Sequence, residues 1–383
     1  MKLSRSLKIA AAAAAVTLFA AQPAFAGVPI SGAGSSFAAP LISACKVAFQ
    51  ASTGNTVNYG SGGSGLGRTS ADGGINEFNF SDASYTPKIS TVLHIPVIAA
   101  PVAIAYNATS GQASPTVAQP QIYLSQQTLS DIFTGKVTKW NDPEIKADNA
   151  GTKTTIVFKK DSKGAVVKVK GKPVVLKTVA GTSGVALPDA VINVIVRSDS
   201  SGTTQNLANF FIAQFPSVWT KASSGTFASV FPGASLPLSF SNASGSSGVA
   251  ALAARTPYSI TYVESSYSDS VGLGSAGIKN ASGKYQLPTA GGTASFLSAA
   301  TASATGVLTF NYGTTEPGAY VLGIVSYALV NSAKTDNYAK ATTAFLKYLL
   351  SDACVNTNPS LQYSTISGTL LATDNALIAK LAQ

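Results

Sequence analysis

Titratable chemistry is scarce in this chain. Only 11% of its residues are charged, about half the share usual for a globular protein. It has a single histidine, His94, and two cysteines. A structural or catalytic zinc site needs several His or Cys ligands converging on one point, so such a site is nearly excluded. A Ser-His-Asp triad or a histidine proton shuttle could be built only around His94, which disfavours most hydrolase chemistry. His94 opens an apolar run with no acid or cysteine beside it and reads as structural. Long hydrophobic runs are missing from the body of the chain too. The stretches 95–106 and 319–330 are too short to span a bilayer, and prolines interrupt the first. They read as buried strands. With 45% hydrophobic residues the chain is not disordered either, and no repeat of about 20–50 residues suggests a solenoid.

The N-terminus carries an export pattern. Lys2, Arg5 and Lys8 precede an alanine-rich apolar run over 9–21, and Ala24-Phe25-Ala26 supplies a small-x-small cleavage pattern. Cleavage after Ala26 is expected to give an exported, soluble chain, and loss of the three basic residues lowers the formal charge from +10 to +7. With no cysteine near the cut, a lipid anchor there is not expected. In an exported protein, Cys45 and Cys354 suggest one disulfide tying the two ends of the chain together, with two buried thiols as the alternative.

The remaining positive charge is clustered. Seven lysines fall within 159–177, alternating with valine around Ser162-Lys163-Gly164 and Lys170-Gly171-Lys172, which predicts an exposed hairpin over about 159–178. A solvated edge that discourages strand pairing is the simplest reading, and a docking patch for an acidic partner the other. Nucleic acid is disfavoured because no aromatic residues are interleaved with these lysines.

Elsewhere strands and helices alternate, which indicates an α/β protein. SSFAAPLISACKVAFQAST reads as a helix with Ser35 or Ser36 as its cap and Gly54 as its end. GSGGSGLG at 60–67 reads as a glycine-rich loop, and FNFSDAS as a strand delivering Ser81 and Asp82 to its end. VINVIV runs directly into RSDSSGTT, and GSSGVAALAART repeats the arrangement of Gly and Ser before a helix. Glycine permits close backbone approach, and a helix start offers unpaired N–H donors with a favourable dipole, so these segments suit an oxyanion without a metal.

GAGSSFAAPLI, VNYGSGGSGLG, FNFSDAS, LSDIFTGKVTKWNDPEI, VRSDSSGTT and GSSGVAALAARTPYSITYVESSY occur in this order. Together they closely resemble the periplasmic phosphate-binding proteins, the solute receptors of the high-affinity phosphate ABC transporter. The resemblance runs from about Gly32 to the C-terminal helix and is interrupted by the lysine hairpin and by a stretch around 265–315. It implies a type II periplasmic binding fold: two α/β lobes joined by two hinge crossings, near Tyr106–Asn107 and Gly318–Tyr320. Lobe 1 would hold 27–106 and 320–383, and lobe 2 would hold 107–319. The implied phosphate ligands are Ser36, Phe37, Ser64, Asp82, Arg197, Asp199, Ser201, Gly202 and Thr203, with Ser61 as a competitor for the place of Ser64. No cofactor or metal is implied. The implied partners are inorganic phosphate and the permease subunits in the inner membrane, and the protein would be a non-catalytic periplasmic or secreted monomer. A secreted phosphatase and a surface or adhesive protein on the same scaffold are the rival readings.

Overall fold

The computed structural model describes residues 27–182 and 186–382, so the export segment lies outside the described residues. One mixed sheet organises them. Its strands lie in the order Phe240–Ala243, Asn193–Arg197, Ser259–Glu264, Val92–Asn107, Gly323–Asn331, Phe78–Ser81, Pro29–Gly34 and Thr56–Gly60, with Gly274–Ser275 also paired to Val92–Asn107. Pro29–Gly34 runs parallel to both its neighbours, and so does Asn193–Arg197. The near-continuous apolar run HIPVIAAPVAIAYN becomes the long central strand, buried along almost its whole length with helices packed on both faces. The fold is α/β with two lobes, as the sequence predicts.

That long strand belongs to both halves of the sheet. Residues 92–101 pair antiparallel with Gly323–Asn331, and 102–107 pair antiparallel with Ser259–Glu264. The strand therefore changes partner at Pro101–Val102, and farther along Tyr106 faces Ile260 and Gly274. A uniformly apolar run conceals such a point. Only proline, which cannot donate to a ladder, marks it. The return passes Tyr320, whose hydroxyl donates to the Val102 carbonyl at 2.8 Å, and enters the first half at Gly323. Residues near 306–308 follow a stretch outside the main sheet. They lie against the first half: the Leu308 amide donates to the Tyr327 hydroxyl at 3.1 Å, and Gly306 packs so tightly on the His94 carbonyl that a Cβ there would overlap it.

The first helix spans Ala39–Thr53, with Pro40 in its first turn and Gly54 ending it at φ 76°. Neither Ser35 nor Ser36 is its cap: Ala38 holds that position, and Ser35 Oγ accepts from the Ala38 amide at 3.2 Å in the turn before it. Leu41, Cys45 and Phe49 form its buried face. Cys45 is bonded to Cys354, 309 positions away in sequence, joining this helix to the short helix Asp352–Val355. In the chain-entropy account a loop of that length stabilises the fold by about 6 kcal/mol. Reduction is accordingly expected to move the urea midpoint sharply downward at unchanged pH, as denaturation with and without reductant will show.

The lysine-rich segment departs from the expected solvated hairpin. Its arms are longer, Thr152–Phe158 against Val175–Thr182, with a small inner hairpin of Lys168–Val169 and Lys172–Pro173. Its far end is anchored. Lys168 is largely buried and donates to the Thr365 carbonyl and, at 2.9 Å, to Thr365 Oγ1. Ser367 Oγ donates to the Gly171 carbonyl at 2.9 Å, and Lys172 pairs with Glu316 at 2.5 Å. Alternation of Val and Lys signals an exposed strand pair, but it cannot report that one amine folds inward against a distant segment.

His94 is buried, as the structural reading expects, between the rings of Tyr85 and Tyr327, and burial lowers its pKa to about 4. Asp374, in helix Gly368–Ile378, is fully buried, and neither carboxylate oxygen has a hydrogen-bond partner among the described residues. Burial pushes its carboxyl up from 3.8 to about 8. Above pH 3.8 the unfolded chain releases this proton while the folded chain keeps it until about pH 8, so the group costs increasing stability across that window. Asp374→Asn is expected to stabilise the protein by several kcal/mol at pH 8 and by little near pH 4, read from denaturation midpoints at both values. Among the described residues no helix is long and apolar enough to cross a membrane.

Candidate functional site

Loops at the carboxyl ends of the parallel strands of both halves meet at one place, where open α/β sheets bind ligands. Pro29–Gly34 delivers Ser35, Ser36 and Phe37, and Phe78–Ser81 delivers Asp82. Thr56–Gly60 leads through a short turn to helix Ser64–Asp72, so the predicted glycine-rich loop is shorter than expected and Ser64 is already helical. Asn193–Arg197 leads into helix Gly202–Gln214, and Phe240–Ala243 into helix Gly245–Arg255. Several helix N-termini therefore point at the same small volume, bringing partial positive charge and amide donors.

Asp82 sits at the centre, 2% exposed. The hydroxyls of Ser35 and, at 2.7 Å, Ser326 donate to Oδ1, while Ser64 at 3.2 Å and Thr203 at 3.3 Å donate to Oδ2. The Asp82 amide in turn donates to Ser64 Oγ at 3.1 Å. Burial raises the carboxyl above its ordinary value, and it outweighs the hydroxyl donors and the charge of Arg197, which act in the opposite direction. The result is a carboxylate more basic than an ordinary one.

Arg197 is 4% exposed and faces the same cluster. Its Nε and one terminal nitrogen bind both oxygens of Asp199 at 2.7 and 2.5 Å. Its other terminal nitrogen reaches Ser246 Oγ at 3.4 Å, leaving that edge of the fork directed at the Ser36–Ser246 pair. Burial alone would raise the Asp199 carboxyl, but Arg197 and the Gly245 amide, 2.9 Å from Oδ1, hold it below its ordinary value. Asp199 thus fixes the guanidinium and stays ionised.

Contacts between the two halves close the cleft. Ser36 Oγ lies 2.9 Å from Ser246 Oγ, the Tyr267 hydroxyl donates to the Ser36 carbonyl at 3.1 Å, and the Gly65 amide donates to the Ser200 carbonyl at 2.9 Å. Asn206 Nδ2 donates to the Asp82 carbonyl at 2.6 Å. Glycine is required at Gly63, φ 90°, because a Cβ would overlap Asp199, and at Gly202, where it would overlap Ser64 Oγ. Side chains there would hold the halves apart.

The structure brings together Ser36, Phe37, Ser64, Asp82, Arg197, Asp199, Ser201, Gly202 and Thr203. Ser61 is exposed whereas Ser64 is buried, which separates the two serines of that turn. Ser201 caps helix Gly202–Gln214, its oxygen accepting from the Thr204 amide at 3.1 Å, and a hydroxyl in that role keeps its own proton to donate. The Phe37 side chain is in the core, and its carbonyl accepts from the Tyr363 hydroxyl at 2.5 Å.

The sequence does not single out Ser35, Ser246 and Ser326 as members of the cluster. Ser246 stands in a Gly/Ser segment whose form was legible. Ser326 is the single hydroxyl of the buried strand segment Gly323–Ser326, and the antiparallel register that sets Tyr327 opposite Ser81 brings it to Asp82, the next residue along. Among the described residues no group of three or more His, Cys, Asp or Glu side chains could hold a metal ion. The arrangement suits a tetrahedral oxyanion that carries a proton: donors surround it, and one basic carboxylate can accept.

Comparison with known proteins points the same way. The PBP superfamily domain matches residues 11–353. The phosphate-binding protein PstS of Xylella fastidiosa (strain Temecula1) is 30% identical over 332 residues, spanning 84% of this chain and 77% of that protein. PstS of Pasteurella multocida is 30% identical over 275 residues, spanning 71% of this chain and 65% of that protein. Among solved structures, a high-affinity periplasmic phosphate-binding protein, PfluDING, bound with phosphate, shares the fold with a TM-score of 0.62 at 18% identity, over 91% of this chain and 93% of that one. This chain belongs to the PBP superfamily, within the family of the PstS phosphate-binding proteins.

Proposed function

We propose that this chain is an exported receptor that captures inorganic phosphate between its two lobes and hands it to the membrane subunits of an ABC phosphate permease. The observation that carries this reading is the pairing of Arg197 with a buried, basic Asp82 inside one ring of hydroxyls. Arg197, Ser36, Ser64, Ser201 and Thr203 and the amides of Phe37 and Gly202 would donate to the phosphate oxygens. Asp82 would accept the phosphate's own proton, and Asp199 would orient Arg197. Hinge crossings at Pro101–Val102 and around Tyr320–Gly323 would let the lobes open and close, and phosphate would favour the closed form by bridging loops from both. The protein would act in the periplasm, or outside the cell, without catalysing a reaction.

Calorimetric titration of the desalted protein tests this. One phosphate is expected to bind per chain, with arsenate, the same shape and protonation, as an alternative ligand. Absence of phosphate binding by the folded protein sinks the proposal. Release of phosphate from a chromogenic ester by the purified chain would favour the phosphatase reading instead.

A further inference from the structure

Away from the anion cluster lies a cavity of about 190 Å³. Its walls come from the lysine-rich hairpin, from the start of helix Ala290–Leu297 and from the C-terminal segment around 355–365. Most of the lining is apolar, with Phe158, Ala165, Val166, Leu287, Val355 and Pro359 contributing. A cavity of about 150 Å³ with apolar walls accepts benzene, so the size suits a small organic molecule.

Two polar features break the apolar wall. Lys168 lines the cavity, and among the described residues no carboxylate lies within ion-pair distance of its ammonium. Its neighbours are neutral oxygens: the Thr365 carbonyl and hydroxyl, with Ser364 and Ser367 hydroxyls at 3.4 and 3.5 Å. Burial lowers its pKa to about 8, opposed by the more distant charge of Asp352, as expected for a cation short of a counter-charge. Gln286 also lines the cavity, is 2% exposed, and its Nε2 has no hydrogen-bond partner among the described residues. A buried donor without a partner costs about 1–3 kcal/mol, which a ligand acceptor could recover. The N-terminal turn of helix Ala290–Leu297, with Thr289, Ala290 and Gly291 on the wall, adds a field that favours negative charge.

We infer that this cavity is a second binding site, for a small monocarboxylate with a short aliphatic or aromatic body. The carboxylate meets Lys168 and Gln286, and the body fills the apolar part. Phosphate does not fit this description, because it has no apolar face to bury. The site stands apart from the anion cluster, although Tyr363 touches both, lining the cavity and donating to the Phe37 carbonyl.

The test is calorimetric titration of the whole chain, saturated with phosphate, using butyrate, hexanoate, benzoate and the neutral benzyl alcohol. At least one acid is expected to bind with one site per chain, and benzoate to bind at least about tenfold tighter than benzyl alcohol. Lys168→Met should bring that ratio to about one while leaving phosphate binding intact, which also shows that the variant is folded. Ala165→Leu, which fills the cavity from the hairpin side, should abolish binding of both aromatic probes. The inference is overturned if none of the acids binds at concentrations up to about 10 mM, a free energy too small for a built site. It is equally overturned if phosphate displaces them, if Lys168→Met leaves the ratio unchanged, or if Ala165→Leu binds benzoate like the wild type.

Discussion

Arg197→Met is expected to weaken phosphate binding by about a thousandfold or more, while the protein stays folded. Truncating one partner of a buried, hydrogen-bonded charge pair costs about 2–5 kcal/mol or more, and here two effects add. The anion loses the free edge of the guanidinium, the part that lies 3.4 Å from Ser246. Asp199 loses the fork that now holds it at 2.7 and 2.5 Å, so a carboxylate is left unpaired beside an incoming anion. The second effect gives the prediction its finer structure. Removing the stranded charge as well, in Arg197→Met/Asp199→Asn, should recover about tenfold or more of the loss, because repulsion disappears although the donor is still missing. Arg197→Lys should fail nearly as badly as methionine, since one ammonium cannot hold both oxygens of Asp199 and still reach the ligand. Titrations of the four proteins with phosphate decide it. If Arg197→Met binds within tenfold of the wild type, Arg197 is not a ligand. If the double variant is no better than the single one, the repulsion argument fails.

Which parts of this site could be read in advance follows from what makes a residue visible. RSDSSGTT announces itself because an arginine and an acid stand in a run of small residues just where an apolar strand ends. Asp82 was visible for the same reason, closing FNFSDAS. Ser326 was not, since a serine inside GIVSYALV looks like a tolerated hydroxyl in a buried strand, and only the pairing that sets Tyr327 opposite Ser81 aims it at Asp82. The change of partner at Pro101–Val102 is hidden for a related reason. Both halves of the long strand are equally apolar, and only pairing shows where one partner gives way to the other. Lys168 marks the opposite failure: it belongs to a pattern that predicts exposure, yet contacts with Thr365, far along the chain, draw it inside. Local composition reports turns, caps and apolar faces. It does not report which distant segment a side chain will meet.

Asp82 should set the choice between phosphate and sulfate. The donors around the site cannot make this choice, because both anions are tetrahedral and accept hydrogen bonds equally from Arg197, the serines and Thr203. Phosphate near neutral pH still carries a proton, and sulfate does not. Asp82 can accept that proton's hydrogen bond, a charge-assisted bond in a site closed to water. Its raised pKa strengthens the case, since a more basic carboxylate is a better acceptor. With sulfate the same oxygens would face a second set of negative oxygens, a like-charge contact costing several kcal/mol, enough to exclude sulfate by about a thousandfold. In Asp82→Asn the amide can turn its NH₂ to the ligand, and Ser35, Ser64, Thr203 and Ser326 lose the charge that now orders their hydroxyls. Sulfate affinity should rise steeply, and phosphate affinity should change much less. Acidification should act in the same direction on the wild type. Because burial raises the Asp82 carboxyl, protonation begins above the ordinary carboxylate range, and sulfate binding should emerge as pH falls through it. Titrating both proteins with both anions at neutral and acid pH checks each step. Wild-type protein that binds sulfate within tenfold of phosphate at pH 7 would show that Asp82 does not have this role.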